Sequence, residues 1–151
     1  VMTARFRAAR AILAGHEGVD PERTAAIGYC MGGGVVLGMA RASEDLDAVV
    51  SFHGMLATET PAAEGAVRAR ILVCTGADDP FVPAADVDAL RAEMTAAGAT
   101  CEIVSYPGAV HGFTNPGATA KGEEFELPLR YDSSADKDSW ARMTKLFDEV
   151  F

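Results

Sequence analysis

The chain has 151 residues, and 49% of them are hydrophobic, which suits one domain with a single hydrophobic core. Its 13 basic residues stand against 22 acidic ones, giving a formal net charge of −9. This charge argues against nucleic acid or an anionic membrane as a partner, because both bind basic surfaces.

The three cysteines, Cys30, Cys74 and Cys101, are too few and too widely spaced for a disulfide framework or a zinc site. The N-terminal residues are amphipathic and lack the pattern of a signal peptide. No apolar run approaches the ~20 residues that span a bilayer. We therefore expect a cytoplasmic protein that uses no metal or other cofactor.

Apolar periodicity predicts short strands that alternate with helices. The predicted helices are 1–14, 33–40, 83–97 and 138–151, and the predicted strands are 24–29, 46–52, 70–74 and 101–106. Such alternation is typical of an α/β fold with a parallel sheet of about four strands and helices on both faces. We treat residues 1–151 as a single domain, in which 108–136 is predicted to be a long functional loop.

The strongest motif is Gly-Tyr-Cys-Met-Gly-Gly at 28–33, between a buried strand and an apolar helix. It matches the Gly-x-nucleophile-x-Gly elbow, with Cys30 as the nucleophile. Glycines on either side leave room for a sharp turn, and the helix that follows favours the thiolate of Cys30. The backbone N–H of Met31 would then face a developing oxyanion. The alternatives are a phosphate-binding loop, for which the required residues are absent, and a buried inert thiol.

Two further loops follow predicted strands and carry the residues that a thiol nucleophile needs. Asp78 and Asp79 follow the strand that ends at Cys74, and Asp79 is the preferred acid to orient a histidine, with Asp78 as the alternative. Either aspartate is also suited to a simple turn or helix cap. His111 follows the last strand and is the candidate base. The order nucleophile, acid, histidine along the chain is that of α/β-hydrolases.

The remaining histidines and several aromatic residues have weaker claims to function. His16 is expected on the surface, at the opposite edge of the sheet. His53 follows a strand, and we expect it either to line the substrate pocket or to close a turn with Gly54. Tyr29, Phe81 and Phe113 lie beside the candidate triad and are assigned with His53 to substrate binding; core packing is the alternative for the aromatic residues.

Taken together, the segments 28–33, 76–83 and 106–113 resemble the dienelactone hydrolase family, also called carboxymethylenebutenolidases. The resemblance covers nearly the whole chain. It implies that Cys30 attacks an ester carbonyl, His111 transfers the proton and Asp79 orients His111. The implied function is hydrolysis of small esters or lactones through a thioester acyl-enzyme.

The sequence departs from the family pattern in its substrate-binding residues. The family's dienelactone enzymes hold the substrate carboxylate with an arginine shortly after the catalytic histidine. Here Gly-Phe-Thr-Asn-Pro follows His111, and the next arginine is Arg130. A neutral short-chain ester or lactone is therefore at least as well suited as dienelactone.

The family also implies strands and helices that precede the equivalent of Val1, so the chain matches the C-terminal portion of the family fold. The early loop that supplies a second oxyanion donor would belong to that preceding part. The strand at 24–29 would be an exposed sheet edge, for which we expect homodimer formation. Two other functions remain open: an inactive module in assembly or binding, and a redox-sensing thiol at Cys30.

Overall fold

The computed structural model describes residues 2–151 as four strands and five helices. The strands are β1 (Ala25–Tyr29), β2 (Ala48–Phe52), β3 (Arg70–Gly76) and β4 (Cys101–Tyr106). The helices are α1 (Met2–Ala14), α2 (Met31–Arg41), α3 (Ala84–Ala96), α4 (Ala118–Phe125) and α5 (Ser133–Val150).

The four strands form one parallel sheet in the order β1-β2-β3-β4. The register aligns Tyr29 with Phe52, Phe52 with Cys74, and Gly76 with Tyr106. The carboxyl ends of the strands therefore meet at one edge of the sheet. Open parallel sheets bind ligands at this edge, because the loops that leave the strands converge there.

Both faces of the sheet are covered by helices. One core cluster joins the sheet to α2 and α3, and its buried members include Leu37, Val49, Ile71, Val73, Leu90 and Met94. The second joins the opposite face to α5, with Val50, Phe52, Leu72, Phe113, Met143 and Leu146 among its members. All five residues of β2 are buried, as expected for an inner strand packed on both sides. The predicted α/β architecture is confirmed.

The structure differs from the sequence prediction between residues 108 and 136, where it contains α4. Gly122 fits this short helix against the following chain, because a Cβ at Gly122 would lie 2.3 Å from the Leu129 carbonyl oxygen. Helix α5 also begins earlier than predicted. Asp132 caps it by accepting hydrogen bonds from the N–H groups of Ser134 and Ala135, each at 3.0 Å. The sequence did not predict α4 or the early start of α5, because the apolar periodicity of these two segments is weak.

The β1 side of the sheet is the more open one. Helix α1 has no buried residue between Met2 and Ala14, and ion pairs of Arg7 with Glu44 and of Arg10 with Asp45 connect it to the rest of the fold. Within residues 2–151, no helix combines the length and apolar character needed to cross a membrane.

Candidate active site

Cys30 lies on a sharp turn between β1 and α2. Its backbone has φ 53° and ψ −121°, a conformation that residues other than glycine rarely adopt. The turn is held to the neighbouring strand because the Cys30 N–H donates to the Phe52 carbonyl at 3.0 Å. Gly28 makes the turn possible, since a Cβ there would lie 2.1 Å from the Gly32 carbonyl oxygen. The expectation for Gly32 was wrong: a Cβ at that position would meet nothing within 4 Å.

The N-terminus of α2 is directed at this turn. Met31 is the first residue of the helix, and the first N–H groups of a helix have no acceptor within it. The Cys30 carbonyl accepts hydrogen bonds from Gly33 and Gly34 at 3.0 and 3.4 Å, which fixes the first helical turn. The Met31 N–H is therefore one of the unpaired N–H groups at the start of α2, directly after Cys30 in the chain.

Three side chains form a hydrogen-bonded line at the carboxyl edge of the sheet. Cys30 Sγ lies 3.1 Å from His111 Nε2, and His111 Nδ1 lies 2.8 Å from Asp79 Oδ2. Asp79 Oδ1 also accepts a hydrogen bond from the Phe81 N–H at 2.9 Å. Asp78 is exposed, and its N–H donates to the Ala109 carbonyl. The aspartate in contact with the histidine is therefore Asp79.

The electrostatics of this line favour a charged imidazole. The hydrogen bond to the Asp79 carboxylate raises the pKa of His111 to about 9, against an opposing effect of burial. Cys30 is exposed, whereas Cys74 is buried and Cys101 half-buried. Burial raises the pKa of Cys74 to about 12 and that of Cys101 to about 11. These two thiols are poor nucleophiles at neutral pH.

The loop that carries His111 is fixed by chain far along the sequence. The Arg130 N–H donates to the His111 carbonyl at 3.2 Å, and the Asp132 N–H donates to the Phe113 carbonyl at 3.0 Å. His111 and Leu129 form an isolated parallel bridge. The segment after α4, which the sequence left unstructured, therefore supports the histidine.

A cavity of about 710 Å³ opens beside Cys30 and His111. Its wall includes residues that the sequence did not mark as functional, namely Thr114, Asn115, Pro116, Lys121, Leu129, Asp136 and Trp140. Trp140 lies in the predicted helix 138–151, where it is 55% exposed. An aromatic residue that faces a cavity gives the same helical periodicity as one that packs in the core, so sequence alone could not separate the two.

Residues 1–151 match the model of the dienelactone hydrolase family. The chain belongs to the dienelactone hydrolase family. Among its relatives of known structure is a dienelactone hydrolase-like promiscuous phosphotriesterase, P91, from metagenomic libraries. It is 36% identical, with a TM-score of 0.89, and the match covers 99% of this chain and 62% of P91. The fold is accordingly that of an α/β-hydrolase.

Two further relatives differ in how much of their length is matched. A protein of Salmonella typhimurium that carries the provisional name carboxymethylenebutenolidase is 29% identical over 145 residues, which are 89% of this chain and 49% of that protein. The uncharacterised protein K02A2.1 of Caenorhabditis elegans is 34% identical over 88% of this chain and 84% of its own length. The chain thus spans about half of the Salmonella relative and most of the nematode one.

The residues assigned to substrate binding fall into different environments. Tyr29 and His53 line the cavity. Phe81 is 47% exposed and packs edge-on against the His111 ring, with centroids 5.2 Å apart. Phe113 is 0% exposed, so its assignment is corrected to a core position. It follows a glycine with φ 73°, which turns the side chain into the sheet packing.

The cavity wall carries side chains of both charges, Lys121 and Asp136. Arg130, the first arginine after His111, donates instead to the Gly108 carbonyl. No group of three His, Cys, Asp or Glu side chains in residues 2–151 is arranged to hold a metal ion.

Proposed function

We propose that this chain carries the catalytic residues of a thiol-dependent hydrolase for small esters or lactones. The observation that carries the proposal is the hydrogen-bonded line from Cys30 through His111 to Asp79, beside an open cavity. Membership in a hydrolase family and the strained turn at Cys30 support it. The positions of these atoms support hydrolysis in two half-reactions, with a thioester on Cys30 between them.

In the first half-reaction, the Cys30 thiolate attacks the ester carbonyl carbon, and the carbonyl electron pair moves to oxygen. The resulting oxyanion accepts a hydrogen bond from the Met31 N–H. When the tetrahedral intermediate collapses, the carbon–oxygen bond to the alcohol breaks, and His111 Nε2 transfers its proton to the departing alkoxide. The products are a thioester on Cys30, a free alcohol and a neutral His111.

In the second half-reaction, His111 Nε2 removes a proton from water as the water oxygen attacks the thioester carbonyl. Collapse of the second intermediate breaks the carbon–sulfur bond and releases a carboxylic acid and the Cys30 thiolate. Asp79 accepts the hydrogen bond from His111 Nδ1–H and keeps the ring in place, so that Nε2 faces the sulfur in both steps.

The cavity favours neutral substrates with an apolar or aromatic group. Tyr29 stacks on Phe52 with centroids 4.6 Å apart, which gives a fixed aromatic wall, and Trp140 adds a second aromatic surface. Lys121 and Asp136 together provide no net charge to select a carboxylate. We therefore propose neutral aryl or short-chain esters and lactones as the substrate class.

A second reaction is favoured by the likeness to P91, a promiscuous phosphotriesterase that is 36% identical to this chain. A thiolate that attacks a carbonyl carbon can also attack a neutral phosphotriester at phosphorus. A sulfur–phosphorus bond forms, the phosphorus–oxygen bond to the aryl group breaks, and the aryl oxide leaves with the proton of His111 Nε2; water then hydrolyses the sulfur–phosphorus bond with His111 as the base. We propose aryl phosphotriesters as a secondary substrate, for which the Cys30→Ala variant is the control.

The decisive experiment follows hydrolysis of p-nitrophenyl acetate by the wild-type chain, Cys30→Ala and Cys101→Ala. Cys101 is a matched control because it is half-buried and begins β4, at the end of the strand away from the carboxyl edge of the sheet. We expect turnover to persist in Cys101→Ala and to vanish in Cys30→Ala. The intact mass of the wild-type protein should rise by one acetyl group during the first turnover. Turnover that survives in Cys30→Ala would contradict the proposal.

If all three proteins are folded and inactive, the chain is better described as an inactive module in assembly or binding. The same assay therefore separates the two functions. For the redox hypothesis, rapid peroxide-dependent disulfide formation without ester turnover would be the supporting result.

A further inference from the structure

His53 follows β2 and occupies a constrained position beneath the candidate active site. Its φ is 40°, a backbone conformation that is strained for a residue with a side chain. Its N–H donates to the Cys74 carbonyl at 2.7 Å, which fixes the turn to the end of β3. The residue is only 4% exposed. Strained backbone conformations cluster at functional sites, and this one places a buried polar ring at the edge of the candidate active site.

The His53 ring is held from the side of the His111 loop. Its Nε2 lies 2.9 Å from Thr114 Oγ1. Its ring packs edge-on against His111, with centroids 5.1 Å apart and planes at 67°, and against Phe113, with centroids 5.2 Å apart and planes at 80°. A side chain in such contacts restricts rotation of the neighbouring imidazole.

The turn at His53 is also tied to the helix that presents Cys30. Gly54 packs so closely on α2 that a Cβ there would lie 2.7 Å from the Gly33 carbonyl carbon and 2.4 Å from Ser51 Oγ. His53 therefore connects the Cys30 turn, through Gly54, with the His111 loop, through Thr114. These two segments carry Cys30 Sγ and His111 Nε2, which lie 3.1 Å apart.

The protonation state of His53 suits a supporting role. Burial, followed by the charge of the nearby His111, lowers the pKa of His53 to about 4, while a hydrogen bond to its own backbone and the charge of Asp79 oppose the shift. The Tyr29 phenol is also near, with its ring centroid 6.0 Å from that of His53. His53 is thus neutral at neutral pH. It neither competes with His111 for a proton nor places a second positive charge beside the imidazolium.

We propose that His53, anchored by Thr114, is a positioning residue that holds the His111 imidazole in line between Cys30 and Asp79. The inference rests on the proposed hydrolase function, and it revises the expectation that His53 binds substrate. A substrate-binding residue would mainly affect KM, whereas a positioning residue affects the chemical step and the titration of His111.

The primary test uses Thr114→Val, which keeps the shape of the side chain and removes its hydroxyl, and Thr114→Ser, which restores the hydroxyl. For p-nitrophenyl acetate we expect kcat of Thr114→Val to fall by ~10- to 100-fold with KM changed less than about twofold, because small displacements of reacting groups have effects of this size. Thr114→Ser should recover most of kcat. Thr95→Val, an exposed change on α3, is the matched control and should behave as wild type.

A second measurement is independent of turnover. The chain has 3 histidines, so each imidazole can be followed by NMR as a function of pH. We expect the His111 pKa to fall by about a unit in Thr114→Val and in His53→Asn, because a less restrained ring loses part of its bond to Asp79. His53→Asn is chosen because asparagine tolerates positive φ.

The outcomes separate the two proposals. A fall in kcat together with a lowered His111 pKa supports the positioning role. A rise in KM with unchanged kcat and an unchanged His111 pKa overturns it in favour of substrate contact. An unchanged His111 pKa in folded Thr114→Val overturns the positioning role, whether or not the wild-type chain has esterase activity. Absence of esterase activity in the wild-type chain is a separate result, which contradicts the hydrolase proposal.

Discussion

At the residue scale, the chemistry depends on the different environments of the three cysteines. Cys30 is exposed, next to His111, whose pKa is raised to about 9 by the hydrogen bond to Asp79. Cys74 and Cys101 are protected by burial, which keeps them protonated at neutral pH. Reactivity should therefore be confined to one thiol.

We predict that iodoacetamide at pH 7 alkylates Cys30 well before Cys74 or Cys101. Asp79→Asn should slow this reaction, because without the carboxylate His111 has less tendency to carry the positive charge that stabilises the thiolate. Asp78→Asn is the matched control, since Asp78 is exposed and adjacent. Peptide mass mapping at timed intervals measures the rates. Equal slowing in both variants would show that the acid is not specific to Asp79.

The shifted pKa values of His111 and His53 predict how the free energy of unfolding depends on pH. A pKa of about 9 in the folded state, against an ordinary value of 6.5, means that His111 stabilises the fold below pH 6.5 and that this contribution is lost as the pH rises through about 9. The lowered pKa of His53, about 4, has the opposite consequence: because the folded state keeps this histidine neutral, the free energy of unfolding decreases as the pH falls from 6.5 towards 4.

We therefore expect the free energy of unfolding to decrease between pH 6.5 and 9.5 in the wild-type chain. The decrease should be smaller in His111→Gln, whose side chain does not titrate. Urea unfolding at several pH values within this range provides the measurement. Parallel curves for the two proteins would show that His111 has no raised pKa in the folded state.

At the element scale, the β1–α2 connection is determined by one close contact between backbones. A Cβ at Gly28 would overlap the Gly32 carbonyl, whereas a Cβ at Gly32 would meet nothing within 4 Å. The two glycines of the same motif therefore have unequal structural importance. The Gly-x-Cys-x-Gly pattern does not reveal this difference, because it does not show at which of the two glycines a Cβ would meet the neighbouring backbone.

We predict that Gly28→Ala destabilises the fold strongly and removes Cys30 from its strained turn. Gly32→Ala should leave the fold intact, because alanine is also a better helix former than glycine by ~1 kcal/mol. Thermal unfolding and the rate of Cys30 alkylation report the two effects. A Gly32→Ala variant as unstable as Gly28→Ala would contradict the assignment.

At the scale of the whole molecule, β1 pairs with β2 on one side, and its other side borders a cavity of about 490 Å³ between α1 and α2. Apolar side chains here are exposed, including Ile27 at 43% and Met31 at 69%. Exposed apolar strand edges pair readily with other chains. We propose that a second copy of this chain covers the β1 edge.

The expected result is a dimer in size-exclusion chromatography with light scattering at micromolar concentration. Ile27→Lys places a charge on the edge strand and should shift the protein to a monomer. Arg91→Glu changes an exposed charge on α3, which packs against β4 at the opposite edge of the sheet, and serves as the control. A monomeric wild-type chain would rule the dimer out.

The sequence by itself determined the class of fold and two of the three residues of the hydrogen-bonded line, Cys30 and His111. Hydrophobic patterning marks buried strands and amphipathic helices without knowledge of their partners. Cys30 and His111 were also identifiable, because each follows a predicted strand and parallel strands bring such positions to one edge. The family resemblance carried the same information through three short motifs.

Only the tertiary structure decided the features that depend on contacts between distant segments. It distinguished Asp79 from Asp78 through a 2.8 Å hydrogen bond to His111, which spans 32 positions of sequence. It placed Phe113 in the core, Trp140 at the cavity and His53 against His111. It also revealed that 129–132 supports the histidine loop. The physical reason is that burial and hydrogen-bond partners are set by packing across the chain, which local sequence patterns do not contain.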